Sequence, residues 1–443
     1  MIKNGMKTFT IIWFGQLVSL IGTSMTRFAL LVWLFEETNR ATDVALLGFF
    51  SFVPFVLVSP IAGVWVDRLD RRKIMALADL GAGIMTIALL ILYSSGRLQT
   101  WHLFMAEAFT GAFEAFQIPA YIASTTLLIP KKQYGRAGGM RSLASSASQI
   151  TGPILGGALL GFVGLKGVMS LDILTFLVAM ATLLIVKIPR PIAKEDDKEQ
   201  KNTWQEIRLG LQYIWQRPGL RGLLAIYSGI NFFAALTYFA ILPTLVLTRN
   251  NGDELALATV QVALGLGGVV GSIVLSVWGG PRRQIHAVLA GAAVSFWCGD
   301  LLFAIGRSVP VLAFAAFSAA FFVPFIIAGQ RAIWQVKVPP ALQGRVFSVQ
   351  SMIQTGTMPL GYLIAGPLAD RIMEPAMAPG GILSPWFSWL VGSQPGAGMG
   401  VMFLGTAICG TTISIAGYLF RPIRNVESDL PDHDEAVEQL ALS

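Results

Sequence analysis

Arg27, Glu107 and Glu114 stand deep inside long apolar stretches of the chain, far from any polar boundary. A charge at the centre of an apolar helix costs about 2.5–3.5 kcal/mol on insertion scales. Residues that carry this cost face a water-filled path or pair with one another. Glu107 and Glu114 are seven apart and share one face of a helix. The helix bearing Arg27 and the one bearing the glutamates run in opposite directions, which brings Arg27 and Glu107 to similar depth. We expect Arg27 to pair with Glu107 and Glu114 to bind and release a proton. A static Arg–Glu pair, with Glu114 a satisfied polar residue, would use the same three side chains.

A second constellation is Asp67-Arg68-Leu69-Asp70-Arg71-Arg72-Lys73, preceded by Gly63. Six of its seven residues are charged and four are positive. Hydrocarbon does not tolerate such a run, so it must be a short loop between two spanning helices. A third is Gly139, Ser148 and Gly152-Pro153-Ile154-Leu155-Gly156-Gly157. Small residues there allow close helix approach, and Pro153 kinks its helix.

The elements that must hold these groups follow from composition. The 443 residues are 54% hydrophobic and 13% charged, against roughly 25% charged in a soluble domain. Mean hydropathy is +0.65. Apolar segments fall at 9–35, 43–66, 74–95, 99–128, 139–164, 167–187, 219–247, 256–279, 285–306, 309–336, 346–372 and 398–420. Each suits a bilayer span of about 20 residues. With the N-terminus inside, 24 of the 32 Lys and Arg lie in inner segments and 6 in outer ones, with Arg27 and Arg331 inside helices. This asymmetry orients both termini toward the cytoplasm and accounts for the net charge of +7 without nucleic acid. The N-terminal apolar run is too long for a signal-peptide core and reads as a retained first helix. Cys298 and Cys409 lie inside apolar segments and form no disulfide framework. His102, His286 and His433 lack metal-ligand spacing. There is no nucleophile–base set, so an enzyme is not expected, and no cofactor is called for.

The segments divide into two sets of six. Pro153 and Pro359, and Gly138 and Gly344, stand 206 residues apart, a weak parallel repeat. We expect a six-helix bundle at 1–189, a linker at 190–217, a second bundle at 218–424 and an acidic cytoplasmic tail at 425–443 without fixed structure. Within the linker, Thr203-Trp204-Gln205-Glu206 has capping-box form. Ile207, Leu211 and Ile214 predict an amphipathic helix on the inner membrane surface. Trp386 and Trp389 predict an interfacial segment in the outer loop 373–397. Asp79, Asp300, Arg331 and Asp370 read as helix-end charges that snorkel cheaply. Asn231 and Gln330 could contact a ligand or bond between helices.

The Gly63–Lys73 pattern resembles the signature loop of the major facilitator superfamily. Gly22–Phe28, Ile118-Pro119-Ala120, Trp204–Leu211 and Val338–Ser348 resemble its macrolide-efflux branch of drug:proton antiporters, which is also similar to bacterial siderophore exporters. The resemblance implies an all-α membrane protein, with twelve transmembrane helices in two six-helix pseudo-repeats. It implies an exporter of bulky amphipathic or hydrophobic small molecules in the bacterial cytoplasmic membrane, driven by proton antiport and working as a monomer. A siderophore or lysophospholipid cargo fits the same fold, and a membrane scaffold or sensor is a reading from another class. In this fold helices 1, 4, 7 and 10 line the central cavity, which would take Arg27, Glu107, Glu114, Phe113, Asn231 and Gln330. Gly63, Asp67, Arg68, Arg71, Gly152 and Pro153 would serve conformational gating. Many of these exporters carry an arginine in helix 4. This chain has Glu107 there, which directs the proton role to Glu114, with Glu107 beside it.

Overall fold

A computed structural model describes residues 5–130, 133–186 and 203–430. No strand occurs among them. The chain opens with α1 (Gly5–Thr38), α2 (Ala41–Arg68), α3 (Arg71–Ser94), α4 (Thr100–Leu128) and α5 (Tyr134–Ile185), followed by the short α6 (Thr203–Trp215). Then α7 (Pro218–Phe233) passes through a wide helical turn, Ala234–Phe239, into α8 (Leu242–Arg249). After α9 (Glu254–Trp278), α10 (Gln284–Ser295) passes through a second wide turn, Phe296–Asp300, into α11 (Leu301–Ile305). The remainder is α12 (Val309–Lys337), α13 (Pro340–Gly356), α14 (Met358–Leu368), α15 (Glu374–Met377), α16 (Ser384–Val391), α17 (Ala397–Leu419), α18 (Arg421–Arg424) and α19 (Val426–Asp429).

Nine helices among the described residues are long and apolar enough to cross a bilayer. One of them, α5, has 52 residues, about 78 Å at 1.5 Å per residue and enough for two crossings. Its turning point is Gly164, whose φ of 65° suits a residue without Cβ. With α4 and the α13–α14 pair, which fall outside that length-and-hydropathy criterion, the arrangement is consistent with twelve crossings. The α13–α14 break lies at Thr357, whose Oγ1 donates to the Ser228 carbonyl at 3.0 Å.

Two compact units emerge, Met1–Asp196 with Asn251–Val262, and Asp197–Asn250 with Ala263–Ser443. In the first, α1 and α5 pack closely because small residues face each other. A Cβ on Gly22 would lie 2.0 Å from Thr175 Oγ1, and one on Gly152 2.1 Å from Ser24 Oγ. Gly152 therefore approaches α1 of its own unit, while Gly157 meets Ala258 at the start of α9. The core of the second unit gathers around Trp334, Leu220, Ile285 and Ile333, all 2% exposed or less.

The six-charge run resolves into two helix ends and a two-residue link. Leu69 is extended, and the Asp70 carboxylate accepts from the Arg72 amide at 3.0 Å, capping α3. Arg71 donates to the Ala123 carbonyl at 2.9 Å, and Arg72 Nε to the Leu183 carbonyl at 2.8 Å. The arginines thus brace the C-terminal ends of α4 and α5, where the helix dipole favours cations. The side chains of Gly63, Asp67 and Arg68 lie outside the described residues.

The linker helix and the start of the tail both pack within the second unit. The linker helix α6 packs on α13: Ile214 is fully buried, Ile207 joins the same core, and Gly210 faces the Arg345 carbonyl. Leu211 is instead 38% exposed, because the buried stripe runs through 207, 210 and 214. Residues 425–430 of the tail have a defined structure. Glu427 Oε1 and Oε2 accept from the amides of Gln284 (3.0 Å) and Ile285 (2.9 Å), capping α10. Buried Lys337 donates to the carbonyls of Glu427 and Leu430. The tail from residue 431, the linker segment 187–202 and the Thr203–Glu206 side chains lie outside the described residues.

Candidate functional site

Arg27 sits between two carboxylates. Its Nη2 donates to Glu114 Oε1 at 2.6 Å, while its Nε is 3.8 Å from Glu107 Oε2. The closer partner is thus Glu114 rather than Glu107. Seven residues of α4 separate the glutamates by about 10.5 Å along the axis, a span that the long arginine side chain lies across. All three groups are half-buried, with side-chain exposures of 38% for Arg27, 18% for Glu107 and 33% for Glu114.

They line a pocket of about 90 Å³ in the first unit, room for a few water molecules. Phe113 lines it too, its ring seated on Gly81 of α3, where any Cβ would collide. Two further carboxyls belong to this pocket. Asp79 accepts from Gln16 Nε2 at 2.9 Å and from Gln117 Nε2, and Gln117 also donates to Gln16 Oε1 at 3.2 Å. Asp172 accepts from Thr86 Oγ1 at 3.2 Å and Thr23 Oγ1 at 3.4 Å. Asp79 is 6% exposed and Asp172 4%. The helix-end reading of Asp79 is corrected. It lies eight residues into α3, about 12 Å from the helix start and beyond the reach of a short side chain. Asp172 was not singled out from sequence, although its signal is plain: one acid inside the apolar segment 167–187.

The second unit holds a larger cavity of about 680 Å³, within the 300–1,000 Å³ range of drug-sized sites. Asn231 and Gln330 line it, so the six expected cavity residues divide between two pockets, one in each unit. Asn231 Nδ2 donates to the Gln354 carbonyl at 3.0 Å, joining α7 to α13. Gln330 is 4% exposed and its Nε2 has no partner. Asp300, also expected at a helix end, is 4% exposed at the cavity wall and accepts from Thr406 Oγ1 at 2.6 Å. Two of the three wide turns among the described residues reach this cavity, through Tyr238 and Phe239 on one and Phe296 and Asp300 on the other, while the third, Ala369–Met373, does not line it. Such turns recur at functional sites. Among the described residues no cluster of three His, Cys, Asp or Glu could hold a metal.

This all-helical frame agrees with the family profile described as Major Facilitator Superfamily, which matches residues 12–362. The chain belongs to the major facilitator superfamily. It is a multi-pass membrane transporter and not an enzyme. Among relatives of this superfamily, macrolide efflux protein A of Streptococcus pyogenes is 29% identical over 373 residues, covering 84% of this chain and 91% of its own. Multidrug efflux pump Tap of Mycolicibacterium fortuitum is 23% identical, covering 81% and 88%. A bacterial homologue of the human lysosomal transporter Spinster shares the fold at a TM-score of 0.67 and 15% identity, covering 97% and 99%.

Proposed function

We propose that the chain exports bulky amphipathic or hydrophobic small molecules, macrolide- or drug-like, across the bacterial cytoplasmic membrane by alternating access, with proton entry as the driving force. The observation that carries the coupling is the cluster around Arg27. Four carboxyl groups, Asp79, Glu107, Glu114 and Asp172, share with one guanidinium a pocket too small for a drug. That excess of acids suits proton uptake rather than cargo. Glu114 is the proposed exchange site. Its protonation neutralises the charge that holds Arg27 and leaves the guanidinium to Glu107 alone. Cargo selectivity toward macrolide-like molecules is supported by the relatives named for macrolide and multidrug efflux.

Gating is assigned to Gly63, Asp67, Arg68 and Arg71 at the inner ends of α2 and α3, and to Gly152 and Pro153 in α5. The Lys and Arg asymmetry supports placing both termini in the cytoplasm, and the transporter is proposed to work as a monomer. The test is substrate-induced proton movement in proteoliposomes, using macrolides, lipophilic cationic dyes and siderophores. A pH signal with one cargo class, lost in Glu114→Gln, supports antiport. Cargo movement without a proton signal removes the antiport mechanism.

A further inference from the structure

The cavity of the second unit contains a charge and several donors that the folded chain leaves unanswered. Asp300 is 4% exposed. It accepts a hydrogen bond from Thr406 Oγ1, itself 3.4 Å from Thr237 Oγ1. Asp300 makes no ion pair among the described residues. A buried carboxylate without a cation is costly, and a cationic ligand group would offset that cost. The rings of Tyr238 and Phe296, beside Asp300 in the cavity wall, suit a cation as well.

Further along the same cavity are three donors without partners: Gln330 Nε2, Trp334 Nε1 and Gln354 Nε2. Their residues are 4%, 1% and 6% exposed. The indole N–H can only donate, so it requires an acceptor. The distance between the two ends follows from helix geometry. Gly299 sits against Ala319 of α12, and Gln330 is eleven residues further along that helix, about 16 Å. Arg331 lies at the same far end and is exposed, too distant to neutralise Asp300.

We infer that this cavity binds a large lipophilic monocation that carries acceptor oxygens, its ammonium against Asp300 and its oxygens against Gln330, Trp334 and Gln354. The inference rests on the export reading for the occupant being cargo. The binding itself is readable without transport.

The experiment uses the full chain, purified and reconstituted in nanodiscs, with no ion gradient. Binding of rhodamine 6G, a monocation with an ester carbonyl, is followed by fluorescence anisotropy beside the neutral dye coumarin 6. Asp300→Asn is expected to weaken rhodamine 6G at least tenfold and to change coumarin 6 less than twofold. Asp300→Glu is expected to bind rhodamine 6G within about threefold of the unaltered protein, which guards against a folding defect in the amide variant. Trp334→Phe, which keeps a ring and loses the N–H, is expected to weaken rhodamine 6G several-fold. Unchanged rhodamine 6G binding in Asp300→Asn, or an equal loss of both dyes, overturns the inference. If the dye binds as expected but no cargo moves in proteoliposomes, the site stands and the export reading fails. If cargo moves while Asp300→Asn binds normally, the reverse holds.

Discussion

Arg27 Nη2 lies 2.6 Å from Glu114 Oε1, and the same guanidinium reaches Glu107 only at 3.8 Å. The short contact is a charge-assisted hydrogen bond, worth about 1.5–3 kcal/mol. The long one is a looser ion pair of under about 1 kcal/mol at half-exposed side chains. A double-mutant cycle in detergent should therefore give a larger coupling for Arg27→Ala with Glu114→Ala than for Arg27→Ala with Glu107→Ala. Equal couplings would mean that the guanidinium is shared evenly.

Asp70 caps α3 through the Arg72 amide. Asp70→Ala should cost about 1 kcal/mol of stability, read as a lower Tm of the detergent-solubilised protein. Asp70→Asn keeps an acceptor oxygen and should recover most of it. A Tm unchanged in Asp70→Ala would show that the cap contributes nothing.

Arg249 closes the C-terminal end of α11. It donates to the carbonyls of Phe303 (2.8 Å), Ala304 (2.9 Å) and Gly306 (2.5 Å), and to that of Gly396 at 3.4 Å. The first three carbonyls belong to the C-terminal turn and cap of α11, where helix carbonyls lack intrahelical partners, and the fourth is at the N-cap of α17. Arg249→Ala should cost about 2–4 kcal/mol and speed hydrogen exchange at the α11–α12 link and the start of α17. Arg249→Lys should recover only part, because one ammonium cannot span four carbonyls.

Gly152 meets Ser24 where α5 crosses α1. An added Cβ would stand 2.1 Å from Ser24 Oγ and 2.4 Å from its Cβ. Gly152→Ala should cost about 1–3 kcal/mol through overpacking. The double variant with Ser24→Gly removes both clashing atoms and should restore most of the loss in a thermal-melt assay. Loss persisting in the double variant would place the requirement for Gly152 elsewhere.

Much of this protein was written locally. Few charges, long apolar runs, and Lys and Arg gathered on alternate loops determine a polytopic membrane chain, because lipid admits no other solution for such a sequence. That Arg27, Glu107 and Glu114 would come together was legible for the same reason: an ion inside an apolar segment needs a partner. Which glutamate Arg27 meets was not legible. Helix rise gives depth, but rotation about the axis and rotamer choice decide between carboxylates 10.5 Å apart at about 1.5 Å per residue. Asp79 and Asp300 were misjudged because distance to a segment end in sequence says little about where the helix begins or which neighbour covers it. Tertiary packing also supplied the hydroxyl and amide partners from α1, α4 and α17, which stand 38 to 106 residues away from these acids. The linker helix shows the same division. Its amphipathic pattern was in the sequence, but only α13, with a backbone carbonyl open to Gly210, decided which stripe of that helix is buried.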